Sequence, residues 1–306
     1  MTMKLDWMRG CATALVTPFK GDGGIDEERM RALVDRQIRG GVSLLVPCGT
    51  TGESATMSEE EDARVIALTI EVARGRAKVI AGAGSNSTAA AIDYSKRFRD
   101  LGADAVLQVA PYYNKPTQEG LYAHFSAIAR AVPDVPIMLY NVPGRTSSNI
   151  AAQTTLQLAR DWENIVAVKE ASGNLSQIME ILRERPVNFS VLSGDDAVTL
   201  PLIALGAEGI VSVASNEAPD LMSQMTSLAL AGKWEEARRL HFRLLPLMEI
   251  NFIESSPGPV KAAMTMMGLL EENFRLPLVP VTEKSRAKIR EVIAELGLLE
   301  TAQASA

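Results

Sequence analysis

Lys169 closes the run Asn164-Ile-Val-Ala-Val-Lys169 and is followed at once by Glu170-Ala-Ser-Gly173. Ile165, Val166 and Val168 are apolar and β-branched, and a run this short reads as a buried strand rather than a helix. A lysine at such a strand end has lost much of its water. Desolvation disfavours the ammonium and leaves a neutral, nucleophilic amine. A lone lysine in this position more often snorkels outward or pairs with an acid, here Glu170. Its companions in the sequence weigh against that.

Tyr140-Asn-Val-Pro-Gly-Arg145-Thr146 joins a phenol to a guanidinium suited to bidentate carboxylate recognition. Gly49-Thr50-Thr51-Gly52-Glu53 sets two hydroxyls between glycines, which is either an anion site or a solvated turn. In Pro111-Tyr112-Tyr113-Asn114 one tyrosine can pack while the other offers its hydroxyl as a proton carrier, or both are rim aromatics. Ser193-Gly194-Asp195-Asp196 places Asp195 where a helix N-cap is expected, and no cluster of acids or histidines accompanies it as a metal set. The small residues of Gly209-Ile210-Val-Ser-Val-Ala-Ser-Asn216 suit close approach to a ligand. His124 and His241, the only histidines, lie in helical patterns, which argues against a Ser-His-Asp hydrolase or a His-bound metal. One lysine, phenols, threonines and an arginine fit an enzyme that forms a Schiff base with a carbonyl substrate and needs no cofactor or metal.

These residues need a scaffold that brings strand ends together. Apolar runs at residues 12–19, 42–47, 78–82, 105–110, 137–140, 165–169, 189–192 and 209–213 alternate with helical spacing at 25–40, 58–74, 89–101, 119–131, 151–160, 175–185 and 197–205. Ser58 and Glu61 form a capping-box signature. Roughly eight strand–helix units predict an α/β fold, the (β/α)8 barrel, with residues 1–225 as the catalytic domain. A doubly wound sheet has the same local pattern. It is disfavoured because no Gly-x-Gly-x-x-Gly follows the first strand, and Gly82-Ala-Gly84 does not continue to a third glycine. Helical spacing at 234–247, 260–270 and 283–298 makes residues 226–306 a C-terminal helical appendage, with 301–306 frayed.

The chain has 306 residues, 47% of them hydrophobic and 22% charged, and a net charge of −6. That charge and the lack of a basic face exclude nucleic acid as the main partner. No apolar stretch suffices to span a membrane, and the N-terminal segment carries an acid and lacks the long apolar core of a leader, so a cytoplasmic location is expected. Cys11 and Cys48 lie in apolar runs and are expected as buried thiols.

Five motifs, Gly49-Thr-Thr-Gly-Glu-Ser54, Pro111-Tyr-Tyr-Asn114, Tyr140-Asn-Val-Pro-Gly-Arg-Thr146, Val168-Lys-Glu-Ala-Ser-Gly173 and Leu192-Ser-Gly-Asp-Asp196, occur in one order. Through them the chain, from about Gly10 to Leu299, resembles the dihydrodipicolinate synthase and N-acetylneuraminate lyase family of pyruvate-dependent class I aldolases. The resemblance implies that Lys169 forms the Schiff base with pyruvate and that Tyr140 relays protons. It implies that Thr50 links Tyr140 to Tyr113, the latter donated across a subunit interface. Thr51 would hold the pyruvate carboxylate, Arg145 the carboxylate of L-aspartate 4-semialdehyde, and Ile210 would offer a backbone carbonyl, with Gly194 also at the substrate. The implied reaction is the lysine-biosynthetic condensation of those two substrates in a homotetramer built as a dimer of dimers. A sugar-acid lyase or aldolase, of the N-acetylneuraminate or 2-keto-3-deoxygluconate type, is the alternative within the fold. A barrel that merely binds a keto acid is the alternative outside catalysis. Of the family's lysine-inhibition positions, Ser54, Ala55, Asn86 and Tyr112 match, but Glu59 and Asp62 replace histidines and Ala90 replaces the effector-binding glutamate. Weak or absent lysine inhibition is expected.

Overall fold

The structure is a computed structural model that describes residues 5–299. Eight parallel strands close into a barrel in chain order. They are β1 (Gly10–Ala14), β2 (Leu44–Val46), β3 (Lys78–Gly82), β4 (Ala105–Val109), β5 (Ile137–Asn141), β6 (Ile165–Glu170), β7 (Ser190–Ser193) and β8 (Gly209–Ser212). Closure pairs Gly10 of β1 with Gly209 of β8. The two backbones approach so closely there that a Cβ on Gly209, whose φ is +152°, would lie 2.0 Å from the Gly10 carbonyl oxygen. Only glycine fits.

Alternation along the strands makes two apolar layers. Ala12, Leu44, Val46, Ile80, Met138, Tyr140, Ala167, Leu192 and Val211 belong to the inner cluster. Leu45, Val79, Leu139, Val168, Val191 and Ile210 join the layer under the helices. The helices are α1 (Glu27–Arg39), α2 (Glu59–Ala73), α3 (Thr88–Asp100), α4 (Gln118–Ala131), the single turn α5 (Pro143–Thr146), α6 (Ala152–Asp161), α7 (Leu175–Glu184), α8 (Thr199–Ala204) and α9 (Pro219–Leu230). The tail adds α10 (Trp234–Ile250), α11 (Gly258–Met266) and α12 (Glu283–Glu295). The capping box of α2 is made in both directions, from Glu61 N–H to Ser58 Oγ and from Ser58 N–H to Glu61 Oε2.

The structure revises some boundaries. The apolar run at 12–19 is strand only as far as Ala14; Leu15 gives its N–H to Val46 and the chain then leaves the sheet. The boundary drawn after residue 225 falls inside α9, which packs on β1 and β8 as the barrel's own helix. The expected fraying at 301–306 lies outside the described residues. Among the described residues no helix is long and apolar enough to cross a membrane. Cys11 and Cys48 are buried free thiols, and burial pushes Cys11 up to about 12 and Cys48 well above its usual range. Neither is an available nucleophile.

Candidate active site

Tyr140 and Lys169 are register partners on β5 and β6, and both are buried. Lys169 Nζ lies 4.2 Å from the centroid of the Tyr140 ring, at the carboxyl end of the barrel where these folds carry their chemistry. Glu170 is not the lysine's partner. Its carboxylate accepts from Asn141 Nδ2 at 3.2 and 3.1 Å, from Ser172 N–H at 2.8 Å and from Gln177 Nε2 at 3.3 Å. Burial pushes the Glu170 carboxyl above its ordinary range. Because Asn141 follows Tyr140 and Glu170 follows Lys169, this network pins both strand ends from the outer side. Gly194, after β7, leaves room for the lysine stem. A Cβ there would stand 3.1 Å from Lys169 Cγ and Cε and 2.7 Å from Ala171 Cβ.

A cavity of about 530 Å³ is bordered by Tyr140. Gly49, Thr50, Tyr140, Arg145 and Thr146 are among its lining residues. Arg145 stands exposed on α5, a turn started by Pro143 and ended by Ser147 in the left-handed region at φ +57°. Thr51 is buried beside Thr50, and Thr17 Oγ1 donates to the next carbonyl, Gly52, at 2.7 Å. Tyr140, Arg145 and the Thr50 hydroxyl therefore share one cavity, whereas Thr51, Lys169, Gly194 and Ile210 are not on its wall; Lys169 faces the Tyr140 ring from behind that wall.

Some expected residues stand elsewhere. Tyr113, at φ +73°, is 88% exposed and does not line the cavity. Among the described residues no hydrogen bond joins Tyr140, Thr50 and Tyr113. Ile210 turns its side chain to the outer layer, so only its backbone is free to face the substrate. Asp195 is not the N-cap of α8, which begins after Val198 without a side-chain cap. Its Oδ1 accepts from Ala197 N–H and its carbonyl from Thr199 Oγ1, closing the turn ahead of the helix instead. Asp196 is buried and accepts from Val213 and Ala214 N–H, a structural tie between the loops after β7 and β8. Burial lowers both histidines, His124 to about 4, and His124 Nδ1 is hydrogen-bonded to Thr88 Oγ1. Among the described residues no His, Cys, Asp or Glu group is arranged to hold a metal.

Sequence reasoning named Ser54, Ala55, Asp62 and Tyr112 only as positions of the implied lysine-inhibition site, and it missed that they line the same cavity together with Tyr94 and, from the tail, Ser256, Pro257, Pro277 and Leu278. Burial, reinforced by Glu61 and Glu59 and opposed by Cys48, pushes the Asp62 carboxyl up to about 7. It also missed a fully buried ion pair, Lys261 Nζ to Glu53 Oε1 at 2.6 Å. A lysine inside the apolar run Val260 to Met264 was the available signal.

The model of the dihydrodipicolinate synthetase family matches residues 7–296. A 4-hydroxy-tetrahydrodipicolinate synthase of Koribacter versatilis is 55% identical over 296 residues, covering 96% of this chain and 98% of the relative. Among solved structures, a chloride-inhibited dihydrodipicolinate synthase of Acinetobacter baumannii complexed with pyruvate is 43% identical with a TM-score of 0.93, covering 95% of this chain and 100% of that one. The lysine-bound enzyme of Cyanidioschyzon merolae is 44% identical with a TM-score of 0.93, covering 96% and 99%.

Proposed function

The chain belongs to the dihydrodipicolinate synthetase family, and from that membership we infer that it is a 4-hydroxy-tetrahydrodipicolinate synthase, condensing pyruvate with L-aspartate 4-semialdehyde. The observation that carries this reading is the lysine–phenol pair, Lys169 Nζ at 4.2 Å from the ring of Tyr140, which itself lines a cavity that also presents Arg145.

In the proposed mechanism the Lys169 amine adds to the pyruvate carbonyl and water leaves, forming an imine. Tyr140 carries the protons that this exchange moves. The imine withdraws electrons from the adjacent methyl group, which loses a proton and becomes an enamine carbon. That carbon attacks the aldehyde carbon of aspartate semialdehyde, whose oxygen takes up a proton. The amino group of the new chain then attacks the imine carbon, closing the ring and releasing Lys169 as a free amine. Thr51 and nearby backbone amides hold the pyruvate carboxylate, and Arg145 holds the carboxylate of the aldehyde. The Ile210 carbonyl and Gly194 border the reacting centre. No cofactor enters the balance.

Thr50 stands on the cavity wall with Tyr140, and we assign it the step that passes a proton outward. Tyr113, projecting at 88% exposure, completes the relay in a neighbouring subunit. We accordingly assign a homotetramer, a dimer of dimers, in the cytoplasm. Arg145 favours the synthase over a sugar-acid lyase, because a carboxylate-bearing aldehyde needs a cation and a polyol does not. The test is turnover of pyruvate with aspartate semialdehyde against pyruvate with N-acetylmannosamine. Turnover confined to the first pair supports the reading; preference for the second overturns it.

A further inference from the structure

We infer that Glu53 and Lys261 are a positioning pair by which the C-terminal appendage sets the Gly49–Glu53 loop for catalysis; the inference rests on the roles given to Thr50 and Thr51 above. Both side chains have no exposure, and their atoms meet at 2.6 Å across 208 residues of sequence. Lys261 Nζ also donates to the Asn273 carbonyl at 2.6 Å and lies 4.6 and 4.7 Å from the ring centroids of Phe19 and Phe274. Asn273 in turn donates to the Phe19 carbonyl at 3.0 Å. One cation thus ties together the loop after β1, the loop after β2 and the segment after α11.

Stability alone does not explain such a pair. Two buried charges lose their hydration, and a well-packed apolar pair of similar size is often as stable or more so. What an ion pair adds is registration, and the loop it registers is under constraint. Glu53 holds φ +58°, a left-handed conformation unusual for a residue with a side chain. The same appendage grips the loop's downstream side, where Arg275 Nη1 donates to the Thr56 carbonyl at 3.0 Å and to Glu61 Oε2 at 2.7 Å. Glu53 and Thr50 line the same cavity as Tyr140. A loop released from Lys261 would keep its chemistry but misplace Thr50 and Thr51, and small misplacements of positioning groups cost large factors in rate.

The test uses the full chain and two variants, measuring kcat, pyruvate KM, melting temperature and borohydride-trapped pyruvate on Lys169. Glu53→Gln/Lys261→Met removes both charges while keeping volume; Glu53→Asp keeps the charge but shortens its reach by one methylene. The expected result is a trapped adduct at saturating pyruvate with pyruvate KM raised about tenfold and kcat lowered about as much, a loss of the size that misplaced groups give. A lowered melting temperature with kcat and KM within about twofold of wild type, roughly 0.4 kcal/mol or less, would make the pair merely structural and overturn the inference. If the double variant does not fold, Glu53→Asp decides by the same criteria. Failure of the wild type to trap pyruvate overturns the parent reading and this one together, whereas normal kinetics in the variants of an active enzyme overturn this one alone.

Discussion

Lys169 lies beneath the ring of Tyr140, its Nζ 4.2 Å from the ring centroid, and the two residues are direct partners in the β5–β6 register. Adjacent strands of a closed barrel hold that relationship rigidly, so it does not depend on a loop. Tyr140→Phe keeps the ring over the lysine and removes only the hydroxyl. The expected outcome is a kcat lower by about 10²–10⁴, the usual worth of a positioned proton carrier, with Lys169 still trapped by borohydride after longer incubation. Steady-state kinetics beside single-turnover trapping checks it. Unchanged kcat would remove the phenol from the mechanism.

Arg145 lines the cavity from α5, apart from the lysine. Arg145→Ala should therefore raise the KM for aspartate semialdehyde roughly 10- to 150-fold, the range of about 1.5–3 kcal/mol for hydrogen bonds to a charged group. Pyruvate KM should move only slightly. A comparable rise for pyruvate would place the guanidinium on the wrong substrate.

Asp62 gives a pH signature. Burial raises its carboxyl from 3.8 to about 7, so across that window the folded chain holds a proton that the unfolded chain has released. Stability then falls as pH rises through the window, and the full penalty stands above pH 7. Asp62→Asn should match wild type near pH 4 and melt higher than wild type near pH 8, by roughly 2–4 °C for each kcal/mol relieved. Thermal melts of both proteins across that range test the sign. A variant less stable at the alkaline end contradicts it.

The barrel was legible because eight apolar runs alternate with helical spacing, and a strand–helix repeat of that count closes in few ways. The placement of Lys169, Tyr140 and Arg145 was legible because each ends a strand or opens the turn after it, and strand ends of a closed barrel converge. Residues held by long-range contact left no such trace. Lys261 meets Glu53 across 208 positions, and periodicity says nothing about that pairing. Asp195 misled because an acid ahead of a helix resembles an N-cap, whereas its side chain closes the preceding turn on Ala197. Tyr113 shows a third limit. Its left-handed backbone and near-complete exposure describe the residue in one chain, while the proposed relay places its partners in a second.

Asp62 and Tyr112 share the cavity's far half with Ser54 and Ala55. Ala90, in α3, has no carboxylate to meet the α-amino group of a bound lysine. Free lysine should accordingly inhibit weakly or not at all, unlike an enzyme with a glutamate there. A titration of activity against lysine checks this, and strong inhibition at sub-millimolar concentration would refute it.

The most direct test of the central claim is borohydride reduction in the presence of pyruvate, followed by peptide mapping, on wild type and Lys169→Ala. The mechanism predicts one reduced pyruvate adduct, confined to the peptide that carries Lys169, and none in the variant. Wild-type protein that binds pyruvate yet yields no adduct, or an adduct on another lysine, would contradict it.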